Sequence, residues 1–303
     1  MIYELRNYTL HPGQRDTLID LFEREFIEGQ EEAGIGVVGH FRDLDEPNMY
    51  PWMRKFPDME ARRAALTAFY GGPIWKANRD AANATMIDSD NVLLLRPVPV
   101  PSADVPHGSS PRHSDLSRGT TTSTSGLLSG STPDLPAGST PDLLSGSTSA
   151  FSPEPTPDLP SGSAPVLSPE SGPGPTLQSS SGSSFDPFSS TVRPPVGATV
   201  LPESLYVAMI YHVDDGFAEF FAQEAVPVLR EAGVPPVACF ETEAAENTFP
   251  ALPVRTGEQV FVWFARFDRP SDEREVALPG LESRLTSPPQ RLRLAPAARS
   301  ALR

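Results

Sequence analysis

The feature that most constrains the fold is a repeat, because residues 204–303 follow the pattern of residues 1–98. The second copy lacks the stretch YGGPIW (70–75) of the first. The aligned positions include Tyr3 with Tyr206, Tyr8 with Tyr211, Arg54 with Ala265, and YPWMRKF (50–56) with FVWFARF (261–267). The chain is therefore predicted to contain two related modules, of which the second is degenerate.

The first copy predicts an α+β module in the order β-α-β-β-α-β. Its hydrophobic spacing indicates strands at 2–10, 37–42, 50–56 and 91–98, and helices at 14–33, 58–69 and 74–83. This order is the ferredoxin-like unit, in which helices cover one face of an antiparallel sheet and leave the other face bare.

The last strand of the first copy indicates what covers that bare face. Residues 92–95 read VLLL, with no polar residue on either side of the strand. A strand of this kind is buried on both faces. Because about 97 residues cannot cover both faces alone, we expect a second sheet to pack against the first.

The middle of the chain has a different composition. Residues 99–199 are rich in Pro, Ser, Gly and Thr, and TPDL occurs at 132–135, 140–143 and 156–159. Such a segment buries too little apolar surface to offset its chain entropy, so it is predicted to be a disordered linker. The predicted domains are 1–98, the linker 99–199, and 200–303.

Charge and cysteine content exclude several classes of function. The net charge is −15, which disfavours nucleic-acid and anionic-membrane partners because both select basic surfaces. One cysteine, Cys239, allows no internal disulfide, and the scattered histidines give no metal-ligand pattern. No leader or membrane-length apolar run is visible, so we expect a cytoplasmic protein without metal or cofactor.

The first module resembles the NIPSNAP family. The resemblance is carried by YELRNYTLHPG (3–13) and by the run from WMRKFPDMEARRAALTAFYGGPIW to NVLLLRP (52–97), and it is weaker over 204–303. It implies a dimeric α/β-barrel, in which two ferredoxin-like sheets pack face to face. The pairing could be intramolecular or between chains in a homo-oligomer. The bacterial relatives that the chain looks most like have no settled activity.

The richest candidate site lies between Tyr50 and Arg79. In YPWMRKF, Trp52 and Arg54 alternate to one strand face, which combines a large aromatic with a cation and fits a flat anionic ligand. The recurrence of Trp52 as Trp263 favours packing for this tryptophan. His40 is a candidate for titration near neutral pH. The predicted ligand-binding residues are His40, Trp52, Arg54, Tyr70, Trp75 and Arg79, and no catalytic residue is predicted.

Three functions remain open from the sequence. The first is a pseudo-dimeric or oligomeric module that binds a small molecule or a protein partner. The second is a cofactor-independent monooxygenase- or isomerase-like enzyme for an aromatic or polyketide-like substrate, which rests on fold analogy alone. The third is an interaction protein that acts through its linker. The sequence does not decide whether the chain is an enzyme.

Overall fold

The computed structural model describes residues 1–99 and 185–303. The described residues form nine strands, with helices packed on the outside of the sheet. The strands are β1 (Ile2–Leu10), β2 (Gly36–Asp43), β3 (Met49–Phe56), β4 (Met86–Asp88), β5 (Val92–Val98), β6 (Leu205–His212), β7 (Ala238–Thr242), β8 (Val260–Phe267) and β9 (Gln290–Pro296).

The helices follow the predicted positions closely, with one addition. In each half the first helix is interrupted by a π-helical segment, which the apolar spacing did not predict. The helices are α1 (Arg15–Leu21), π1 (Phe22–Phe26), α2 (Ile27–Glu32), α3 (Met59–Gly71), α4 (Pro73–Asn83), α5 (Phe217–Phe220), π2 (Phe221–Ala225) and α6 (Val226–Glu231), with 3₁₀ turns at Pro270–Asp272 and Glu282–Arg284.

Eight of the strands close into a barrel within this single chain. The order is β3-β2-β9-β6-β8-β7-β5-β1, and β1 pairs back onto β3 to complete the circle, while β4 extends one end of β1. The two halves are joined at two seams, β2 with β9 and β5 with β7, and both are antiparallel. A closed sheet has no free edge, so each half completes the other.

The barrel interior is filled with apolar side chains from both halves. Tyr3 and Phe240, from opposite halves, have ring centroids 4.8 Å apart, and Phe41 and Tyr206 lie 6.1 Å apart. Leu93 and Leu95 point into this interior, whereas Leu94 packs outward under the helices of the first half. The predicted double coverage of the VLLL strand is therefore found, and the interior is a packed core.

Helix α3 illustrates how local sequence places a side chain for the site. Its N-cap is Asp58, whose carboxylate accepts a hydrogen bond of 2.8 Å from the Ala61 amide, as the sequence predicts. The helix buries residues at positions i, i+3, i+4 and i+7, namely Arg62, Ala65, Leu66 and Phe69. An arginine thus occupies one position of an otherwise apolar stripe.

Most of the predicted linker, 99–199, lies outside the described residues, but its residues 185–199 are described and contact the barrel. Phe188 is buried among the rings of Tyr3, Phe240 and Phe264 at 6.0–6.2 Å. Asp186 accepts hydrogen bonds from Lys55 Nζ at 2.6 Å and from the Tyr3 hydroxyl. No helix in the described ranges is long and apolar enough to cross a membrane.

Replacing Phe188 tests whether this segment belongs to the core. Phe188→Ala is expected to lower the free energy of unfolding by about 3–5 kcal/mol because it removes a buried ring from the barrel end. Phe185→Ala is the matched control, since Phe185 is 44% exposed, and it should cost less than about 1 kcal/mol. Urea unfolding measures both, and equal losses would contradict the anchoring role of Phe188.

Candidate functional site

Charged side chains lie on the outer face of the first-half sheet, beneath the helices. Glu4 and Arg6 alternate with the inward-facing residues of β1, and Arg54 stands directly opposite Glu4 on β3. All three side chains are 0–1% exposed. Arg62 reaches the same group from α3 and is fully buried as well. We call Glu4, Arg6, Arg54 and Arg62 the arginine cluster.

Glu4 is the centre of the arginine cluster. Its Oε2 accepts hydrogen bonds from Arg6 Nη1 at 2.6 Å and Arg54 Nε at 2.7 Å. Its Oε1 accepts from Arg62 Nε at 2.7 Å. Burial alone would raise the pKa of Glu4, but the three guanidinium groups outweigh burial and hold this pKa well below its usual range. The carboxylate is therefore ionised at any physiological pH.

The arginine cluster carries more positive than negative charge. Three guanidinium groups surround one carboxylate, which leaves an excess of two positive charges in a layer closed to solvent. Nη2 of Arg62 has no hydrogen-bond acceptor. Nη2 of Arg54 is not aligned for a hydrogen bond, but it lies 2.6 Å from Glu4 Oε2 and is ion-paired with it. Unpaired buried charge of this kind is costly.

Aromatic side chains and an amide cover the arginine cluster. The Tyr70 hydroxyl accepts a long hydrogen bond of 3.4 Å from Arg54 Nη1, and the Tyr70 ring lies 4.9 Å from Trp75 and 6.0 Å from Phe249. Asn247 Oδ1 accepts from Arg62 Nη1 at 3.0 Å. We call Tyr70, Trp75 and Phe249 the aromatic cover. Asn247 and Phe249 come from the loop between β7 and β8, so the second half helps to enclose the site of the first.

Trp52 lies under the two strand arginines. The guanidinium carbon of Arg54 is 5.2 Å from the Trp52 ring centre, and that of Arg6 is 5.6 Å away, both within cation–π distance. The ring also packs against Phe22 at 5.1 Å and Tyr8 at 5.8 Å. Trp52 therefore supports the arginines from below, and its indole is almost fully buried.

His40 lies on the same sheet face, opposite Trp52 on β2, but it differs from the sequence expectation. Its imidazole is fully buried against Phe22, and neither ring nitrogen makes a hydrogen bond. Nε2 is 3.5 Å from Glu23 Oε1. Burial, reinforced by the charge of Arg193, lowers the pKa of His40 to about 3. The imidazole is thus neutral at pH 7 and does not titrate near neutrality.

The structure brings together four of the six predicted site residues. Trp52, Arg54, Tyr70 and Trp75 meet at the arginine cluster and its cover. Arg79 does not join them, because its guanidinium is 56% exposed and pairs with Asp80 at 3.2 Å.

Sequence reasoning missed Glu4, Arg6 and Arg62, although each carried a signal. Glu4 and Arg6 are charged residues two apart on a strand face that otherwise carries Ile2, Tyr8 and Leu10. Arg62 interrupts the buried stripe of α3. In each case a charge occupies a position where the pattern requires an apolar side chain.

A cleft of about 460 Å3 lies elsewhere, between β2, α2 and residues 188–196. Its cations already have acid partners, since Arg299 pairs with Glu28 and Arg193 pairs with Glu31 at 2.7 Å. The excess of positive charge is therefore found at the arginine cluster and not in this cleft. Within residues 1–99 and 185–303, no group of three or more His, Cys, Asp or Glu side chains could hold a metal ion.

The same sheet positions in the second half are apolar. Strands β6 and β8 pair in the register of β1 and β3, so that Val207 faces Ala265 as Glu4 faces Arg54. Likewise Met209 faces Trp263 as Arg6 faces Trp52. These residues pack into an apolar cluster under α5, π2 and α6. The fold therefore tolerates apolar side chains at positions that are charged in the first half.

Comparison with known proteins finds a family resemblance in the first half. Residues 3–101 match the family model described as NIPSNAP. The first half is therefore similar to the NIPSNAP family. The match covers about a third of the chain, and no curated protein matches it.

Solved NIPSNAP proteins resemble about a third of this chain at low identity. Protein Atu4242 of Agrobacterium tumefaciens is 22% identical, with 32% of this chain and 94% of that chain covered and a TM-score of 0.31. An uncharacterized NIPSNAP domain protein of Burkholderia xenovorans is 18% identical, with 35% and 99% covered and a TM-score of 0.29. A candidate monooxygenase of Fusobacterium nucleatum is 6% identical, with 98% and 92% covered and a TM-score of 0.45.

Removing Glu4 is expected to be far more harmful than removing the whole arginine cluster. Glu4→Val leaves three buried guanidinium groups without a carboxylate, which should cost about 3–5 kcal/mol of stability. The quadruple variant Glu4→Val, Arg6→Met, Arg54→Ala, Arg62→Met copies the apolar second half at its strand positions and should recover most of that loss. Urea unfolding measures both proteins. A quadruple variant less stable than Glu4→Val would show that the cluster is required for the fold itself.

The depressed pKa of His40 predicts a pH-dependent stability. The unfolded chain binds a proton at this residue near pH 6.5 but the folded protein only near pH 3, so stability is present above about pH 6.5 and is lost as pH falls. The loss should be about 1.4 kcal/mol per pH unit. His40→Cys, which copies Cys239 of the second half, should remove this slope. Glu23 is present in both proteins, so the comparison isolates the contribution of His40. Identical slopes for wild type and variant would refute the assignment of the pH dependence to His40.

Proposed function

We propose that the chain is a small-molecule-binding module built from two NIPSNAP-like, ferredoxin-like units that pair within one polypeptide, with the ligand site kept in the first unit. The strand order supports the duplication, because β2-β3-β1-β5 and β7-β8-β6-β9 follow the same connectivity. The shared register of β1 with β3 and of β6 with β8 supports it further.

The π-helical segments also support a common origin of the two halves. π1 begins at Phe22 and π2 at Phe221, and these two phenylalanines pack on Trp52 and Trp263 of the central strands. A π-helical segment is rare and often marks a functional site. In the first half it lies over the sheet face that carries the arginine cluster.

The observation that carries the proposal is the uncompensated positive charge of the arginine cluster. An apolar core at these positions is compatible with the fold, as the second half demonstrates with Val207, Met209 and Ala265. Buried charge is therefore not needed for packing and reduces stability unless it is paired. We infer that the ligand is an organic anion whose charged group binds Arg54 and Arg62 and whose flat apolar body lies among the aromatic cover.

The aromatic cover is built so that it can open. Tyr70 is attached to the cluster only through its 3.4 Å hydrogen bond, and its other contacts are ring packing against Phe69, Trp75 and Phe249. Helix α3 ends next to Tyr70 at Gly71, and Gly72 separates it from α4. Movement of Tyr70 at this junction would free Nη1 of Arg54 to bind a ligand.

The other two functions have less support in this proposal. An enzyme that uses His40 as acid or base is disfavoured because burial keeps this imidazole neutral and without a hydrogen-bond partner. Interaction through the linker concerns residues that lie mostly outside the described ranges, so it stays a prediction from composition.

Calorimetric titration with benzoate, phenyl sulfate, phenyl phosphate and neutral benzamide tests the proposal. We expect saturable binding of at least one of the three anions and weaker binding of benzamide. Arg54→Lys keeps the charge but loses the planar fork, and should weaken anion binding by about tenfold. Arg79→Lys is the matched control, because Arg79 is exposed and pairs with Asp80, and it should bind like the wild type. Absence of anion binding, or an unaffected Arg54→Lys, would overturn the proposal.

A further inference from the structure

We infer that the ligand of the arginine cluster carries two negative charges on or near one end of an apolar body, as in an aromatic phosphomonoester or dicarboxylate. This inference deepens the proposed function and rests on it. Three observations carry it: the charge count of the enclosed layer, the placement of the donors that lack a charged acceptor on two different elements, and the neutral character of every other group that contacts the cluster.

The charge count sets the ligand charge. Among the described residues, Glu4 is the only carboxylate paired or hydrogen-bonded with Arg6, Arg54 or Arg62. The remaining polar contacts are the Tyr8 hydroxyl, the Tyr70 hydroxyl and the Asn247 amide, all uncharged. Arginine does not lose its proton in proteins. Two positive charges therefore have no negative charge to balance them, and a single monoanion would leave one of them uncompensated.

The donors that lack a charged acceptor fix where the ligand's charged group would bind. Nη2 of Arg62 projects from helix α3 and has no acceptor, while Nη1 of Arg54 projects from strand β3 and has only the 3.4 Å hydrogen bond to the Tyr70 hydroxyl. Their Nε groups are already bonded to the two oxygens of Glu4. A group with several acceptor oxygens can engage both guanidinium edges at once, which a phosphate or a pair of carboxylates provides.

The aromatic cover around these donors indicates the shape and polarity of the rest of the ligand. Tyr70 touches Arg54 through its hydroxyl, so the ligand's charged group is expected to take the place of this hydroxyl and its body to lie against the displaced ring. Trp75 and Phe249 present further aromatic surface next to Tyr70, and Asn247 holds the other side of Arg62. Flat apolar bodies suit such a surface.

Phenyl phosphate and phenyl sulfate form a matched pair for the test, because they share shape and tetrahedral oxygens but differ by one charge at pH 7.5. We expect wild-type protein to bind phenyl phosphate at least about tenfold more tightly than phenyl sulfate. Affinity for phenyl phosphate should fall below about pH 6, where it becomes a monoanion, and affinity for phenyl sulfate should not fall with it. The affinities of phthalate, a dicarboxylate, and benzoate, a monocarboxylate, are compared in the same way. This second comparison distinguishes a dicarboxylate ligand from a phosphomonoester.

Variants then link the preference to the excess charge. Arg62→Gln reduces the excess from two positive charges to one and should bring the phosphate-to-sulfate affinity ratio close to one, while Arg79→Gln should leave it unchanged. The wild-type ratio and its pH profile need no variant to fold. If phenyl sulfate and benzoate bind as tightly as their dianionic partners, the two-charge inference is wrong although anion binding stands. If no anion binds, the proposed function fails as well.

Discussion

The closure of one sheet by two halves of a single chain is the constraint on which the rest of the structure depends. Each half presents an apolar sheet face that its own helices do not cover, and only the opposing half buries it. The seams β2–β9 and β5–β7 fix the relative register of the halves. Phe188 and Asp186 attach the segment before β6 to the same barrel. Neither half can therefore be understood as an independent layer.

Closure also separates two layers of side chains. The interior is occupied by rings such as Tyr3, Phe240 and Phe264, whereas the arginine cluster lies outside the sheet, beneath the helices. In the first half this layer contains the arginine cluster, and α3 and α4 lie over it. In the second half the layer is apolar, and within the described residues only 3₁₀ turns connect β8 to β9. The two halves therefore differ in the layer between the sheet and the helices, and not in the strands of the barrel.

The sequence predicted the fold better than the site, for a physical reason. Periodicity and the VLLL strand reflect burial summed over many residues, so four of the five strands of the first half and the need for a covering sheet were predictable, whereas the short strand β4 was not. The arginine cluster depends on a few tertiary contacts. Arg54 was identified because it shares a strand face with Trp52, whereas nothing in the sequence analysis separated Arg62 from its neighbour Arg63. Only packing shows that Arg63 pairs with Glu60 at the surface while Arg62 binds Glu4.

In a single-chain barrel the two halves can carry different side chains at equivalent positions, which a dimer of identical chains does not allow. In a symmetric dimer, any substitution that removed the charges from one site would remove them from both. Here Val207, Met209 and Ala265 make one half apolar without affecting Glu4, Arg6 and Arg54. The same half contributes Asn247 and Phe249 to the enclosure of the charged site. The second half thus stabilises the barrel with an apolar layer, and its loop helps to cover the arginine cluster of the first half.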